Sequence, residues 1–275
     1  MKLARCAHDG VVWLGAVEGD EVSFLAPDGE IPIGSWTAGA LEGRVASPER
    51  VLALEDVVLL APVPTPSKVI CVGLNYRDHA VESGIAIPET PLIFAKFPSS
   101  VIGPGSDIVL PEDSDEVDWE VELAVVIGSP ARHVAESSAL DVVAGYTISV
   151  DISARDLQVS DGQFVRAKSY DSFCPTGPWL VTVDELGAAE DLGIGLSVNG
   201  ETLQDARTSE FVFGIAEILA FCSRVATLNP GDLILTGTPS GTGYGLDPQR
   251  YLSPGDEIVA WVEGIGELTN PVVGL

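Results

Sequence analysis

Positive charge is what this sequence has least of. Lysine and arginine number 14 against 41 aspartates and glutamates, for a formal charge of −27. A surface of that sign repels polyphosphate backbones and anionic bilayers, which argues against nucleic acid and membranes as partners. Histidine is also scarce: His8, His79 and His133 are the only three, too few and too scattered for a histidine metal cluster. The four cysteines, Cys6, Cys71, Cys174 and Cys222, form no CxxC pair, which speaks against zinc and against a disulfide framework, so they read as buried thiols. No apolar run approaches the roughly 20 residues that span a bilayer. The opening MKLARCAHDGVVWLG has no signal-peptide pattern, and the expected location is the cytoplasm.

What is present is a chain that can bury a large core, with 46% hydrophobic and only 20% charged residues in 275. Residues 1–62 consist of short apolar runs broken by glycine and acidic turns, the pattern of a small β-rich N-terminal domain. The stiff tract APVPTPSK, residues 61–68, marks a boundary, and residues 69–275 form the second unit. There VICVGLNY reads as a buried strand, DHAVESG as a helical turn stopped by Gly84, and two Pro-Gly-Asp turns each launch a strand. The segment RTSEFVFGIAEILAFCSRV predicts a helix with Phe211, Val212, Ile215, Ile218, Leu219 and Cys222 on one face and Thr208 or Ser209 as cap. The expected class is α+β, mostly β.

The chemistry begins with VDWEVELAVVIG. In a strand, Asp118, Glu120 and Glu122 fall in one row, and a row of carboxylates entering a core must be paired or hold a cation. A solvated edge strand accounts for the same letters. If the strand ending at Asp151 lies alongside, Glu120, Glu122 and Asp151 converge as an all-oxygen set suited to Mg²⁺, Mn²⁺ or Ca²⁺. An acidic protein acting on anions must concentrate positive charge locally, which draws attention to Lys168, followed by a turn-rich stretch, although a lone lysine also suits a surface. His79 and Glu82, three residues apart, share a helical face, so the carboxylate can orient the imidazole as a general base; a surface pair reads the same way. The loop LTGTPSGTGYG, with Thr238, can cradle an anion or simply form a tight hairpin, and it fits neither a P-loop nor a dinucleotide turn.

Taken in order, VICVGLNYRDHAVESG, PLIFAKFPSSVIGPG, VDWEVELAVVIG, AGYTISVDISARDLQ, RAKSYDSFCPTGPW, VNGETLQDARTSEFVF and LNPGDLILTGTPSGTGYG resemble the fumarylacetoacetate hydrolase family across residues 69–273. The resemblance implies a catalytic domain folded as a mixed β-sheet roll, usually in a homodimer. It implies a divalent cation, Mg²⁺ or else Mn²⁺ or Ca²⁺, on Glu120, Glu122 and Asp151, with Asp118 beside the ligands or solvated. It assigns His79 and Glu82 to a mobile lid that activates water, Lys168 to the catalytic site, and Arg155, Gln158, Gly237 and Thr238 to substrate binding. The activity expected from it is hydrolysis of a carbon–carbon bond in an acylpyruvate-type 2-oxo acid such as fumarylpyruvate. Isomerisation or decarboxylation of carboxymethyl-hydroxymuconate intermediates, or decarboxylation of oxaloacetate, is the alternative, since all pass through an enolate. A cation-binding β-module without catalysis is a third reading, which needs none of Lys168, His79 and Glu82.

Overall fold

The computed structural model describes residues 1–63 and 65–275; one residue of the tract read as a boundary, Pro64, lies outside the described residues. Strands dominate, joined by short turns, and the sheets are mixed. Near the N-terminus, Lys2–His8, Val11–Glu18, Glu21–Pro27 and Arg50–Ala53 pair in sequence as an antiparallel meander. The first of these bonds onward to Cys174–Thr182, with Lys2 opposite Val181 and Leu3 opposite Leu180. The same 12-stranded sheet then runs through Val143–Val150, Val121–Ile127, Leu233–Leu235, Val69–Gly73 and Leu92–Lys96. Only the Leu233–Leu235 and Val69–Gly73 step on that path is parallel. A second, 5-stranded sheet contains Gly193–Val198, Glu257–Val262 and Gly266–Gly274 at its centre.

The strand Val121–Ile127 is buried along its whole length, because both of its faces are covered and an apolar run is stable on each. Val125 and Ile127 join the larger core, which also takes Leu196, Ile258 and Leu268 from the second sheet. Ala124 and Val126 join the opposite core with Leu3, Val69 and Leu180. Glu122 continues this second row, since alternate residues share a face. The acidic stretch is not one strand: Val117–Asp118 pairs with Ser153–Ala154, and Trp119 and Glu120 interrupt the run before Val121.

The predicted long helix is shorter than its periodicity implied. It spans Ile215–Val225 and starts from Gly214, with no side-chain cap. Buried Asn75 explains the shortening: its side-chain oxygen accepts from the Phe213 N–H (2.8 Å) and its carbonyl from the Val212 N–H (2.7 Å). Those bonds hold 212–213 extended. Thr208 is therefore not the cap; its hydroxyl donates to the Ala189 carbonyl and accepts from Leu192 N–H, both at 2.8 Å. All four cysteines are free and buried. Among the described residues no helix is long and apolar enough to cross a membrane.

Candidate active site

Two antiparallel strands deliver the acidic residues. Val121 lies opposite Val150 and Glu122 opposite Ser149. Just beyond, the Asp151 N–H donates to the Glu120 carbonyl at 2.8 Å. Glu120, Glu122 and Asp151 are all buried, and one carboxylate oxygen of each lies within 4.8 Å of the others. That spacing fits the oxygen shell of one hard cation, which is about 4–5 Å across, and the donor set excludes a soft-metal preference.

Three buried cations surround the triad. The Lys168 ammonium donates to Glu120 Oε2 (2.9 Å), Asp151 Oδ2 (2.9 Å) and Ser153 Oγ (2.8 Å), which uses all three of its protons. Arg155 pairs with Glu120 Oε1 at 2.5 Å and with Asp118 Oδ2 at 2.8 Å, and donates to Gln158 Oε1 at 3.1 Å. The third cation, Lys96, donates to Asp151 Oδ1 at 2.5 Å and to the Ile152 carbonyl. The sequence reading did not assign it. Its signal was indirect: in a chain with so few cations, a core of carboxylates needs more than two positive partners.

Four buried carboxylates, Asp118, Glu120, Glu122 and Asp151, thus face three buried cations. Glu122 is the one left over. It accepts only the Gly237 N–H, at 2.5 Å, and has no ionic partner among the described residues. Burial, then the neighbouring Asp151 and Glu120 charges, push its carboxyl well above the usual carboxylate range. Burial also opposes ionisation of Glu120, but the charges of Lys168 and Arg155 outweigh it and hold that carboxyl low. A divalent cation placed against Glu122 would remove the deficit and leave one net positive charge for an anionic ligand, so the residues present fit such an ion.

Asp118 is fully buried, which rules out the solvated alternative. It braces Arg155 and accepts from the backbone N–H groups of Trp119, Gly243 and Tyr244. Thr238 sits on the glycine-rich loop, its Oγ1 accepting from Gln204 Nε2 at 2.9 Å. Gln204, also unassigned from sequence, accepts the Val121 N–H as well and so ties this loop to the acidic strand. Gly237 has φ +97°, and a Cβ there would lie 2.6 Å from Asn75, so only glycine suits the turn.

The helix Arg77–Glu82 covers the site. His79 Nδ1 lies 2.9 Å from Glu82 Oε2. Glu82 in turn accepts from the Gly241 N–H through Oε1 (2.8 Å) and from the Thr242 hydroxyl through Oε2 (3.1 Å). Burial disfavours its charge, but the bonds from His79 and Gly241 prevail and lower its pKa. Asp78 adds a second tie, accepting from the Ser240 hydroxyl at 2.5 Å. One cavity of about 350 Å³ is lined by His79, Glu120, Glu122, Arg155, Gln158, Lys168 and Thr238 together. Glu82 stands behind His79, while Asp151 and Gly237 stand behind the two glutamates.

These features define a class: a buried acidic triad that could hold a hard divalent cation, on the floor of a cavity sized for a small ligand. Comparison with known proteins agrees, and the chain belongs to the fumarylacetoacetate hydrolase family, with residues 68–273 matching the fumarylacetoacetate (FAA) hydrolase C-terminal domain. It is 44% identical over 245 residues to the mitochondrial oxaloacetate tautomerase of Xenopus laevis, covering 88% of this chain and 77% of that protein. Among solved structures it resembles a 2-hydroxyhepta-2,4-diene-1,7-dioate isomerase from Mycobacterium marinum (41% identity, TM-score 0.84, covering 100% of this chain and 98% of that one). It also resembles the fumarylacetoacetate hydrolase of Exiguobacterium antarcticum (38% identity, TM-score 0.87, both chains covered completely).

Proposed function

We propose that the protein is a divalent-metal-dependent keto–enol tautomerase of 2-oxo acids, in which His79 carries the proton to and from C3. The observation that supports this most directly is the mounting of His79 on the wall of the carboxylate cavity, with Nδ1 held by Glu82. An ionised Glu82 keeps the proton on Nδ1, so Nε2 presents a lone pair as base. The relatives named as tautomerase and isomerase perform proton transfers of this kind by name.

A divalent cation on Glu120, Glu122 and Asp151, with Mg²⁺ as first choice and Mn²⁺ or Ca²⁺ next, would supply Lewis-acid stabilisation of negative charge on the 2-oxo oxygen. The remaining steps belong to the chain. Lys168 contributes its charge, since its N–H groups are already committed. Thr238 accepts from Gln204, which leaves its own hydroxyl proton for the substrate carboxylate. Gln158 accepts a hydrogen bond from Arg155 on its oxygen, which leaves its NH₂ to donate to the ligand. His79 removes a proton from C3 of the keto form as charge moves onto the 2-oxo oxygen and then hands that proton to this oxygen, giving the enol; in the reverse direction it takes the enol proton and delivers it to C3.

A second reading rests on the same dyad. His79 can instead take a proton from water, directing hydroxide to the distal carbonyl of an acylpyruvate and releasing pyruvate. The test is ketonisation of enol-oxaloacetate, followed by its ultraviolet absorbance, with chelator-stripped protein before and after Mg²⁺ is restored. Acceleration that needs Mg²⁺ is expected. His79→Ala should lower it by on the order of 10² to 10⁴ while keeping the thermal stabilisation by Mg²⁺. Folded, Mg²⁺-loaded protein without acceleration would refute the tautomerase, and pyruvate release from fumarylpyruvate would favour the hydrolase.

A further inference from the structure

The strand Glu201–Arg207 forms one edge of the second sheet, and its single buried side chain is an amide, Gln204. Such a position ordinarily takes an apolar residue, because an amide in a core needs a partner for each polar group. Gln204 has them all. Its Oε1 accepts the Val121 N–H at 2.9 Å, and its two Nε2 protons go to Thr238 Oγ1 (2.9 Å) and the Pro239 carbonyl (2.8 Å). Turning the amide over would set its NH₂ against the Val121 N–H and its oxygen against the Pro239 carbonyl. The backbone therefore fixes which end faces Thr238.

Gln204 occupies the place where a strand pair comes apart. Leu233–Leu235 pairs antiparallel with Val121–Ile127, Leu235 lying opposite Ala124. One residue further, the Leu123 carbonyl accepts from both the N–H (3.1 Å) and the hydroxyl (2.8 Å) of Thr236. Gly237 then meets the acidic strand through the Glu122 side chain and not through its backbone. Continuing the register would bring Thr238 opposite Val121, whose N–H faces the same side as the Leu123 carbonyl. The Gln204 amide stands between them instead, keeping Val121 and Thr238 in one hydrogen-bonded chain while holding them an amide's width apart. Glu120 and Glu122 on one side of this insert and Thr238 on the other all line the cavity.

We propose that Gln204 is a positioning residue, a spacer that fixes the Thr238 hydroxyl relative to Glu120 and Glu122 and aims its proton at the carboxylate of the ligand. One Thr238 lone pair is spent on Gln204, and among the described residues no group accepts the hydroxyl proton. Without the amide, Thr238 loses the donor that holds its oxygen, and the loop loses the insert that keeps it off the acidic strand. The proposal rests on the role given to Thr238 in the proposed function, but not on the reaction that follows binding.

Calorimetry of oxalate binding to the Mg²⁺-loaded protein tests this with a carboxylate ligand that undergoes no reaction. Thr238→Val and Gln204→Met should each raise the oxalate dissociation constant by about tenfold or more, the scale of one hydrogen bond to a charged group. The double variant should be no more than about threefold weaker than either single one, because both changes remove the same contact. Thermal stabilisation by Mg²⁺ alone should persist in all three, which a merely structural role for a residue bonded to Val121 would not predict. If Gln204→Met fails to fold, Gln204→Asn takes its place in the cycle: it keeps an amide in the core but is one methylene too short to bridge Val121 and Thr238. Oxalate bound at parental strength by either Gln204 variant or by Thr238→Val, losses that multiply in the double variant, or loss of Mg²⁺ stabilisation would each overturn the proposal. A protein that shows the expected pattern yet does not accelerate ketonisation of enol-oxaloacetate refutes the tautomerase and keeps the spacer, because oxalate binding involves no proton transfer.

Discussion

Glu122→Gln tests the charge deficit directly. The substitution keeps the shape and an oxygen to accept the Gly237 N–H, and it removes the one buried carboxylate of the site that has no ionic partner among the described residues. Without metal, burial raises the Glu122 pKa above its ordinary value of 4.5, so the folded state holds a proton that the unfolded chain has released. That contribution is whole below the unfolded pKa and declines as pH climbs towards the folded one. Its slope is about 1.4 kcal/mol per pH unit. The glutamine variant has no such slope. In chelator, its melting temperature should therefore exceed that of the unaltered protein, by a gap that widens by about 2–4 °C per pH unit across that window. Adding Mg²⁺ should invert the order. At one hundred times the dissociation constant the unaltered protein gains about 2.7 kcal/mol, and the variant gains little. Thermal unfolding monitored by circular dichroism over pH 5–9, with chelator and with Mg²⁺, reads both effects. A gap that stays constant with pH, or a variant stabilised by Mg²⁺ as much as its parent, would refute the reasoning.

Lys96→Met should cost about 3 kcal/mol or more in chelator, because fully buried Asp151 loses one of its two cations and the methionine cannot replace it; an unchanged urea midpoint would show that Lys168 alone compensates. Gly245→Ala would place a Cβ 2.1 Å from the Glu82 carboxyl carbon. Turnover should fall by on the order of 10² as the dyad is displaced, with stabilisation by Mg²⁺ retained. Turnover at the original rate would mean that Glu82 does not need its present seat.

Side-chain period carried much of the site into view. Glu122 continues the inward row of Ala124 and Val126, which alternation alone predicts. The break at Trp119 and Glu120 is set by pairing with Ser153 and by the Asp151 N–H, partners more than 30 residues away that no local pattern specifies. The same holds for the long helix. Its apolar spacing runs on through Phe211, but Asn75 captures the backbone of 212 and 213 from 137 or more residues away. Lys96 escaped notice for a related reason, since a lysine's burial depends on which carboxylate the fold brings to it. The motifs around His79 and Lys168 were legible as letters, whereas the commitment of every Lys168 proton and of the Arg155 guanidinium became visible only in three dimensions.

Glu82 spends one carboxylate on two tasks. It fixes the imidazole of His79, and it fastens the helix Arg77–Glu82 to the loop at Gly241 and Thr242. Any outward swing of the helix that frees that fastening also carries His79 away from the acidic floor. The arrangement is that of an interlock: His79 keeps its place on the cavity wall only while the Glu82 carboxylate holds the helix to the loop, so on the proposed reading the proton carrier and the cover over the site are set or lost together.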